Sequence, residues 1–331
     1  MKRIHANFYS LITIILIVSI IIFSVLSSNL NDSPRKYKIA VLLDNSQSSG
    51  WDIFKAGLSK AAEDYGMEVQ VLPTDDMLSS QTMADIAMEQ TEAGADALVL
   101  QVCDDEKGIE TVNLLATATP IAVIDGDRDM ISQKRSGCAF VGFDNSQLGE
   151  SLAEEALKLY DGDMSGKRVA IVSGDLDHKD QSDRIAALTN KLQDYGASIQ
   201  WTFEYTNTST DLEKQILQRL YKNPVEMVIA LDNDCLEAVV KCKLQVDDDN
   251  DYMKILGVGN SNKVLYYLDT GVINTLVVPD YFEMGYQCIR ELAERLSSRT
   301  SKMEDFINQY RVIYRETMFD EDEQQYLYII Q

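Results

Sequence analysis

The chain has 331 residues and 45% apolar content, too long for one compact core and too apolar to be disordered. Its formal net charge of −23 repels phosphate backbones and anionic headgroups, which argues against nucleic acid and against anionic solutes without a local cationic pocket. The two histidines, His5 and His178, exclude a His-rich zinc site, and the five cysteines, none in a CxxC spacing, read as buried free thiols.

The first element is MKRIHANFYSLITIILIVSIIIFSVLSSN, in which positive residues precede an apolar run from Phe8 to Leu26. As a helix that run reaches roughly 28 Å, close to the thickness of a bilayer core. No cysteine follows it, so a lipoprotein anchor is not available. Residues 1–36 are expected to be a retained signal anchor and linker, with cleavage after Ser27 as the alternative. Either way the remainder lies outside the cytoplasm, anchored at the cell membrane in the first case.

From Tyr37 onward, apolar and β-branched runs alternate with amphipathic segments. The runs are YKIAVLL, EVQVL, ALVLQV, IAVID, CAFVGF, RVAIVSG, SIQWTFEY, MVIAL, KILGVG and TLVVP. Helices are expected over 51–65, 79–93, 106–117, 145–160, 181–194, 211–222, 234–245, 261–270 and 281–298. Continuous apolar strands between helices predict parallel sheets covered on both faces. The pattern pauses at FVGFDNSQLG and starts again. The fold class is therefore α/β, with two doubly wound domains. Residues 37–143 with 280–309 are expected to form one, and residues 144–279 with 310–331 the other. Three crossovers join them, near Phe143–Asp144, near Pro279–Asp280 and within 299–311.

Ligands of such sheets bind beyond the carboxyl ends of the strands. Those ends read DNSQSSGW, CDDE, DGDRD, DNSQ, GDLDHKDQSDR, YTNTS, DNDC, GNSN and PDYF. There is no GxGxxG, no GxxxxGK[ST] and no GxSxG elbow, so no enzyme is expected. Carboxylates, amides and a guanidinium converging on a crevice suit a neutral polyhydroxylated solute, whose hydroxyls both donate and accept.

The phrases GWDIFKAGLSKAAEDYGMEVQVL, EQTEAGADALVLQVCD, ATPIAVIDGD, FVGFDNSQLGE, NPVEMVIALDND and ILGVGNSNKVLYYLDTGVINTLVVPDYFEMGY carry a resemblance. From Tyr37 to about Arg315 the chain resembles the type I periplasmic sugar-binding proteins, the ribose- and galactose-binding group. The resemblance implies that Trp51 walls a sugar, with Ser48 where an amide is common; a core aromatic at the helix start is the other reading. It puts a hydroxyl acceptor at Asp125, otherwise a turn residue, with Gly126 replacing a frequent arginine and Arg128 nearby. His178, Asp180 and Arg184 reproduce a His-x-Asp-x3-Arg arrangement of the galactose-binding members, in which the guanidinium forks onto the ligand. A surface i,i+4 ion pair is the alternative. Asn233 matches a binding asparagine, or else belongs to a helix start capped by Asp234.

Further positions depart from the family. Gly259 replaces an aspartate, with Asn260 next to it. Pro279 replaces an amide, leaving Asp280 as the candidate there. The second-domain aromatic is missing, and Asn207 stands near its place. The Asp161, Asp163, Ser165, Gly166 spacing matches half of a calcium loop, but Val172 sits where the closing glutamate belongs. A solvated turn is the other reading, and no other cofactor is implied. Closed around a small neutral sugar or polyol, such a protein serves an ABC permease, or alternatively a sensor histidine kinase. LacI-type regulators share the fold but need a DNA-reading motif before Tyr37, where the apolar segment lies.

Overall fold

A computed structural model of the chain describes Val18 and residues 36–327, except 75–78, 103–105, 125–136, 175–178, 206–210, 247–251 and 299. The chain divides into Met1–Lys36 and Tyr37–Gln331, and both sheets belong to the second part. Among the described residues no helix is long and apolar enough to cross a membrane. The Phe8–Leu26 run, apart from Val18, lies outside them.

The apolar runs become strands. In the first half these are β1 (Lys38–Leu42), β2 (Glu68–Val71), β3 (Ala97–Gln101), β4 (Ile121–Ile124) and β5 (Cys138–Phe143). Between them stand α1 (Asp52–Tyr65), α2 (Ser80–Glu92) and α3 (Glu106–Leu115). The second half begins with α4 (Asn145–Lys158), β6 (Arg168–Ser173), α5 (Lys179–Asp194), β7 (Ser198–Glu204) and α6 (Leu212–Lys222). It continues with β8 (Met227–Ala230), α7 (Asn233–Val246), β9 (Lys254–Val258), α8 (Asn262–Asp269), β10 (Thr275–Pro279) and α9 (Tyr281–Ser297). The short strands β11 (Phe306–Asn308) and β12 (Tyr310–Ile313) and the helix α10 (Glu321–Leu327) close the chain.

The first sheet runs β11-β5-β4-β3-β1-β2 and the second β12-β10-β9-β8-β6-β7, so one strand order appears twice. All pairings are parallel except β10 with β12. Central strands β3, β4, β5 and β8 are buried along almost their whole length, because helices cover both faces. Edge strands β2 and β7 alternate exposed and half-buried positions, which is why EVQV and SIQWTFE carry polar residues at every second place.

The two lobes meet at three crossovers. At the first, β5 ends at Phe143 and Asp144 caps α4, its carboxylate accepting from the Gln147 amide at 2.9 Å. At the second, β10 ends at Pro279 and Asp280 caps α9, accepting from the Glu283 amide at 2.9 Å. At the third, Gln309 alone separates β11 of the first sheet from β12 of the second. After its crossover α9 packs on α1, β4 and β5, and α4 packs on α5, β9 and β10.

Each of these helix pairs crosses on glycine. A Cβ added at Gly285 would lie 2.2 Å from the Phe54 carbonyl oxygen, one at Gly57 2.0 Å from that of Phe282, and one at Gly149 2.3 Å from that of Arg184. Only a residue without a side chain allows backbones this close.

Cys138, Cys235, Cys242 and Cys288 are buried free thiols. Burial pushes Cys138 up to about 12 and Cys242 up to about 11, so these two are packing residues and not nucleophiles. The 161–166 stretch is a self-capped turn, with Asp161 at φ 53° and Asp163 accepting from the Ser165 amide at 2.9 Å. That bond holds the Asp163 carboxyl below the usual range. Glu226 is engaged by the backbone and guanidinium nitrogens of Arg168. Among the described residues no group of three or more His, Cys, Asp or Glu is gathered to hold a metal.

Replacing glycine by alanine in a helix interior ordinarily gains about 1 kcal/mol. The close crossings reverse that sign. Gly285→Ala and Gly149→Ala are each expected to lower the unfolding free energy by about 1–3 kcal/mol, read as an earlier urea midpoint. An unchanged or raised midpoint would mean that the helices part freely.

Candidate functional site

The first lip follows β1. Asn45 takes φ 42°, a left-handed conformation that asparagine tolerates, and its carbonyl accepts from the Ser48 amide. Ser46 and Thr74 exchange two hydrogen bonds, at 3.2 and 2.9 Å, and Thr74 Oγ1 donates to the Leu43 carbonyl. Gln101 at the end of β3 accepts from the Asp44 amide at 2.8 Å. These bonds fix a turn that ends in a single 3-10 turn, Ser49–Trp51. The helix starts at Asp52, one residue later than the sequence suggests. The Trp51 indole N–H donates to the Asp44 carbonyl at 3.0 Å, and its ring meets Phe54 edge-on at 5.4 Å. Trp51 is thus half-buried: it packs on the core and also faces the cleft.

The second lip follows β8. Asp232 caps α7, its Oδ1 accepting from the Cys235 amide at 2.8 Å, so the cap is Asp232 and not Asp234. Asn233 is the first residue of that helix. Its Oδ1 accepts from the backbone amides of Asn260 at 2.8 Å and Ser261 at 2.9 Å. Two backbone donors on one oxygen settle which way the amide faces. Its Nδ2 reaches Asn260 Oδ1 at 3.4 Å and lies 3.6 Å from the Cβ position of Gly50 on the opposite lip. Gly259 makes this seat possible, since a Cβ there would lie 2.7 Å from Asn233 Oδ1 and 2.9 Å from Leu236.

Between the lips is a cavity of about 160 Å³. Ser48, Gly50, Trp51 and Tyr281 line it from one side, and Asp232, Asn233, Asp234 and Gly259 from the other. Tyr281 and Asp232 were not singled out from the sequence, and Asp234 was read there only as a helix cap. Tyr281 follows the second crossover directly and stacks edge-on with Phe143 at 5.5 Å. An aromatic immediately after a strand end, in PDYF, was the available signal. A larger open groove of about 780 Å³ lies on the second lobe, between α6 and α7. Its lysines are paired with carboxylates of the same groove, Lys214 with Asp211 and Lys241 with Glu213. The smaller cavity is the better candidate because both lobes build it at their strand ends.

Arg184 is 4% exposed, so it is no surface ion pair. Nη1 donates to the Leu231 carbonyl at 3.1 Å and Nη2 to Asn145 Oδ1 at 2.6 Å. It joins the end of β8 to the first residue of α4, beneath the lip that carries Asn233. Asn260 is 6% exposed and backs Asn233. Asp280 caps α9, and burial, with Glu283 beside it, raises its carboxyl above the usual range against the pull of Tyr326 and Arg311. Asp125, His178 and Asn207 lie outside the described residues, and so does the side chain of Asp180.

The model of the periplasmic binding protein domain matches residues 39–300. No curated protein sequence matches the chain. Among solved structures, a carbohydrate transporter solute-binding protein from Agrobacterium radiobacter in complex with D-arabinose is similar, with a TM-score of 0.77 and 22% identity over 89% of this chain and 100% of that one. GanP, a glucose-galactose binding protein from Geobacillus stearothermophilus, matches with a TM-score of 0.74 and 20% identity over 86% of this chain and 100% of that one. A chain of a XylFII–LytSN complex matches with a TM-score of 0.74 and 20% identity over 86% of this chain and 99% of that one. With two doubly wound lobes, three crossovers and a family match spanning most of its length, the chain belongs to the periplasmic binding protein family.

Proposed function

We propose that this protein is an extracytoplasmic, non-enzymatic receptor that closes around a small neutral sugar or polyol and presents its closed form to an ABC permease. The observation that carries this reading is the composition of the cavity between the lips. Trp51 and Tyr281 supply apolar faces for sugar C–H groups. Asn233 supplies an oriented N–H donor, and Asp232 and Asp234 supply acceptors for hydroxyl protons. Each lobe brings part of the set, so a ligand that contacts both favours closure. Asp125, His178, Asp180 and Asn207, from the sequence segments that follow β4, β6 and β7, are the candidates for the remaining faces. The sugars and polyols named for similar structures, D-arabinose and myo-inositol among them, support the ligand class.

A second reading has its own support. The apolar leader without a following cysteine suits a receptor held at the membrane, and one similar structure is of a XylFII–LytSN complex. In that reading the closed form is read by a sensor histidine kinase.

Calorimetry against pentoses, hexoses and polyols is expected to give a saturable hit. At a hundredfold excess of ligand over Kd the fold should gain about 2.7 kcal/mol. Binding of amino acids or nucleosides with no carbohydrate hit would overturn the ligand class.

Asn233→Asp separates ligand binding from support. The carboxylate keeps both backbone donors of Asn260 and Ser261 but has no N–H to offer. Stability is expected to change by less than about 1 kcal/mol while affinity falls about five- to thirtyfold. Full affinity in the folded variant would remove Asn233 from the site.

For the anchored form, cell fractionation with intact-mass analysis is expected to find the mature chain in membranes with Phe8–Leu26 retained. A soluble chain starting near Ser28 would sink that form and leave a freely exported receptor.

A further inference from the structure

We propose that the cavity favours a carbohydrate that carries an amino group, a cationic amino sugar, over the neutral parent ring. The inference rests on the carbohydrate reading above and goes beyond it in one respect, the charge of the preferred ligand. Among the described residues, the charged side chains that line the cavity are Asp232 and Asp234, and no lysine, arginine or histidine accompanies them. A helix start asks for one capping carboxylate, and Asp232 supplies it through Oδ1. Asp234, two residues further, adds a second negative charge to the same wall. Arg184 does not line the cavity, since its guanidinium donates to the Leu231 carbonyl and to Asn145 Oδ1. The sequence carries the same bias: the nine strand-end segments identified in it hold fifteen aspartates and glutamates against Arg128, Lys179 and Arg184.

Two carboxylates enclosed with a neutral ligand lack a counter-charge, which is costly in a site removed from water. An ammonium group removes that cost. It carries three donors and no acceptor, so it can serve both aspartates, where a hydroxyl has one proton to give. Hydrogen bonds between charged partners are also the stronger kind. Trp51 and Tyr281 stand on the opposite side, and aromatic faces attract cations. The rest of the ligand must accept a hydrogen bond. Asn233 Oδ1 is taken by the amides of Asn260 and Ser261. Its Nδ2 spends one hydrogen on Asn260 Oδ1 at 3.4 Å and has a second to offer, which calls for a hydroxyl or ring oxygen. A simple amine lacks that oxygen. An amino acid or a sugar acid brings a carboxylate, for which the described lining holds no cation. An amino sugar has both the ammonium and the oxygens.

Calorimetry on the full chain with glucosamine, galactosamine and mannosamine, each beside its parent hexose and its N-acetyl derivative, tests the preference. Acetylation keeps the nitrogen but removes the charge, which separates charge from shape. At least one amino sugar is expected to bind about tenfold more tightly than both of its neutral counterparts. Asp234→Asn, checked for folding by its thermal midpoint, is expected to reduce that ratio about three- to tenfold. A neutral hexose that binds as tightly as its amino form, or a ratio that folded Asp234→Asn leaves unchanged, would overturn the preference and leave the carbohydrate reading standing. Binding of D-arabinose or myo-inositol without any amino sugar would likewise overturn the preference alone. No binding by any of these compounds would overturn both.

Discussion

At Asp144 and Asp280 the chain stops being a strand and becomes a helix within one residue, and does so while passing from one lobe to the other. The first-turn amides of such a helix have no partner of their own. Both aspartates solve this alike, with φ,ψ of −79°, 93° and −78°, 77° and a carboxylate accepting from the amide three residues on. A negative charge there also suits the helix dipole. The cap fixes where each helix starts, and five residues on, at Gly149 and Gly285, it meets its neighbour backbone to backbone. The arrangement of the lobes thus depends on two caps and two glycine crossings, repeated in the two halves of one chain.

Much of this was legible because buried strands leave a strong mark. ALVLQ, IAVI and MVIA are covered on both faces and carry nothing charged. The last segments were not legible. FIN and YRVI are too short for any period to register, and each is a strand only because a sheet edge waits for it beside β5 and β10. The sequence EDEQQYL shows no apolar stripe, since α10 is held through Leu327, Tyr326 and Glu323 and not along a face. The cap of α7 was misplaced for a related reason. DND offers two aspartates, and the choice falls on Asp232 because β8 ends at Ala230.

The site was half legible. Ser48, Trp51 and Asn233 meet across one cavity, whereas Tyr281 came unannounced. Arg184 has the spacing of a ligand fork, yet its surroundings are set by packing. Gly149 lets α4 press against the Arg184 carbonyl, which buries the residue and brings its guanidinium to Asn145 and the Leu231 carbonyl. An arginine with these bonds also supports stability, which a ligand contact in open solvent would not. Spacing along a helix shows which residues share a face, but not how closely the next helix covers that face.

The glycine at 259 has a steric logic. Asn233 Oδ1 occupies the space that a side chain at 259 would need, so the observed seat of Asn233 excludes any larger residue there. With no side chain at 259, the backbone amides of Asn260 and Ser261 lock Asn233 with its nitrogen toward the first lobe. The strand end just before this asparagine is gripped by Arg184 through the Leu231 carbonyl, and the other branch of that guanidinium holds Asn145, the first helical residue beyond the first crossover. Asp280, beyond the second crossover, is held by Gln309 in the third. The first crossover is therefore tied, through Arg184, to the strand end that precedes the second lip. A single guanidinium makes that coupling to the strand end leading into Asn233, without itself lining the cavity.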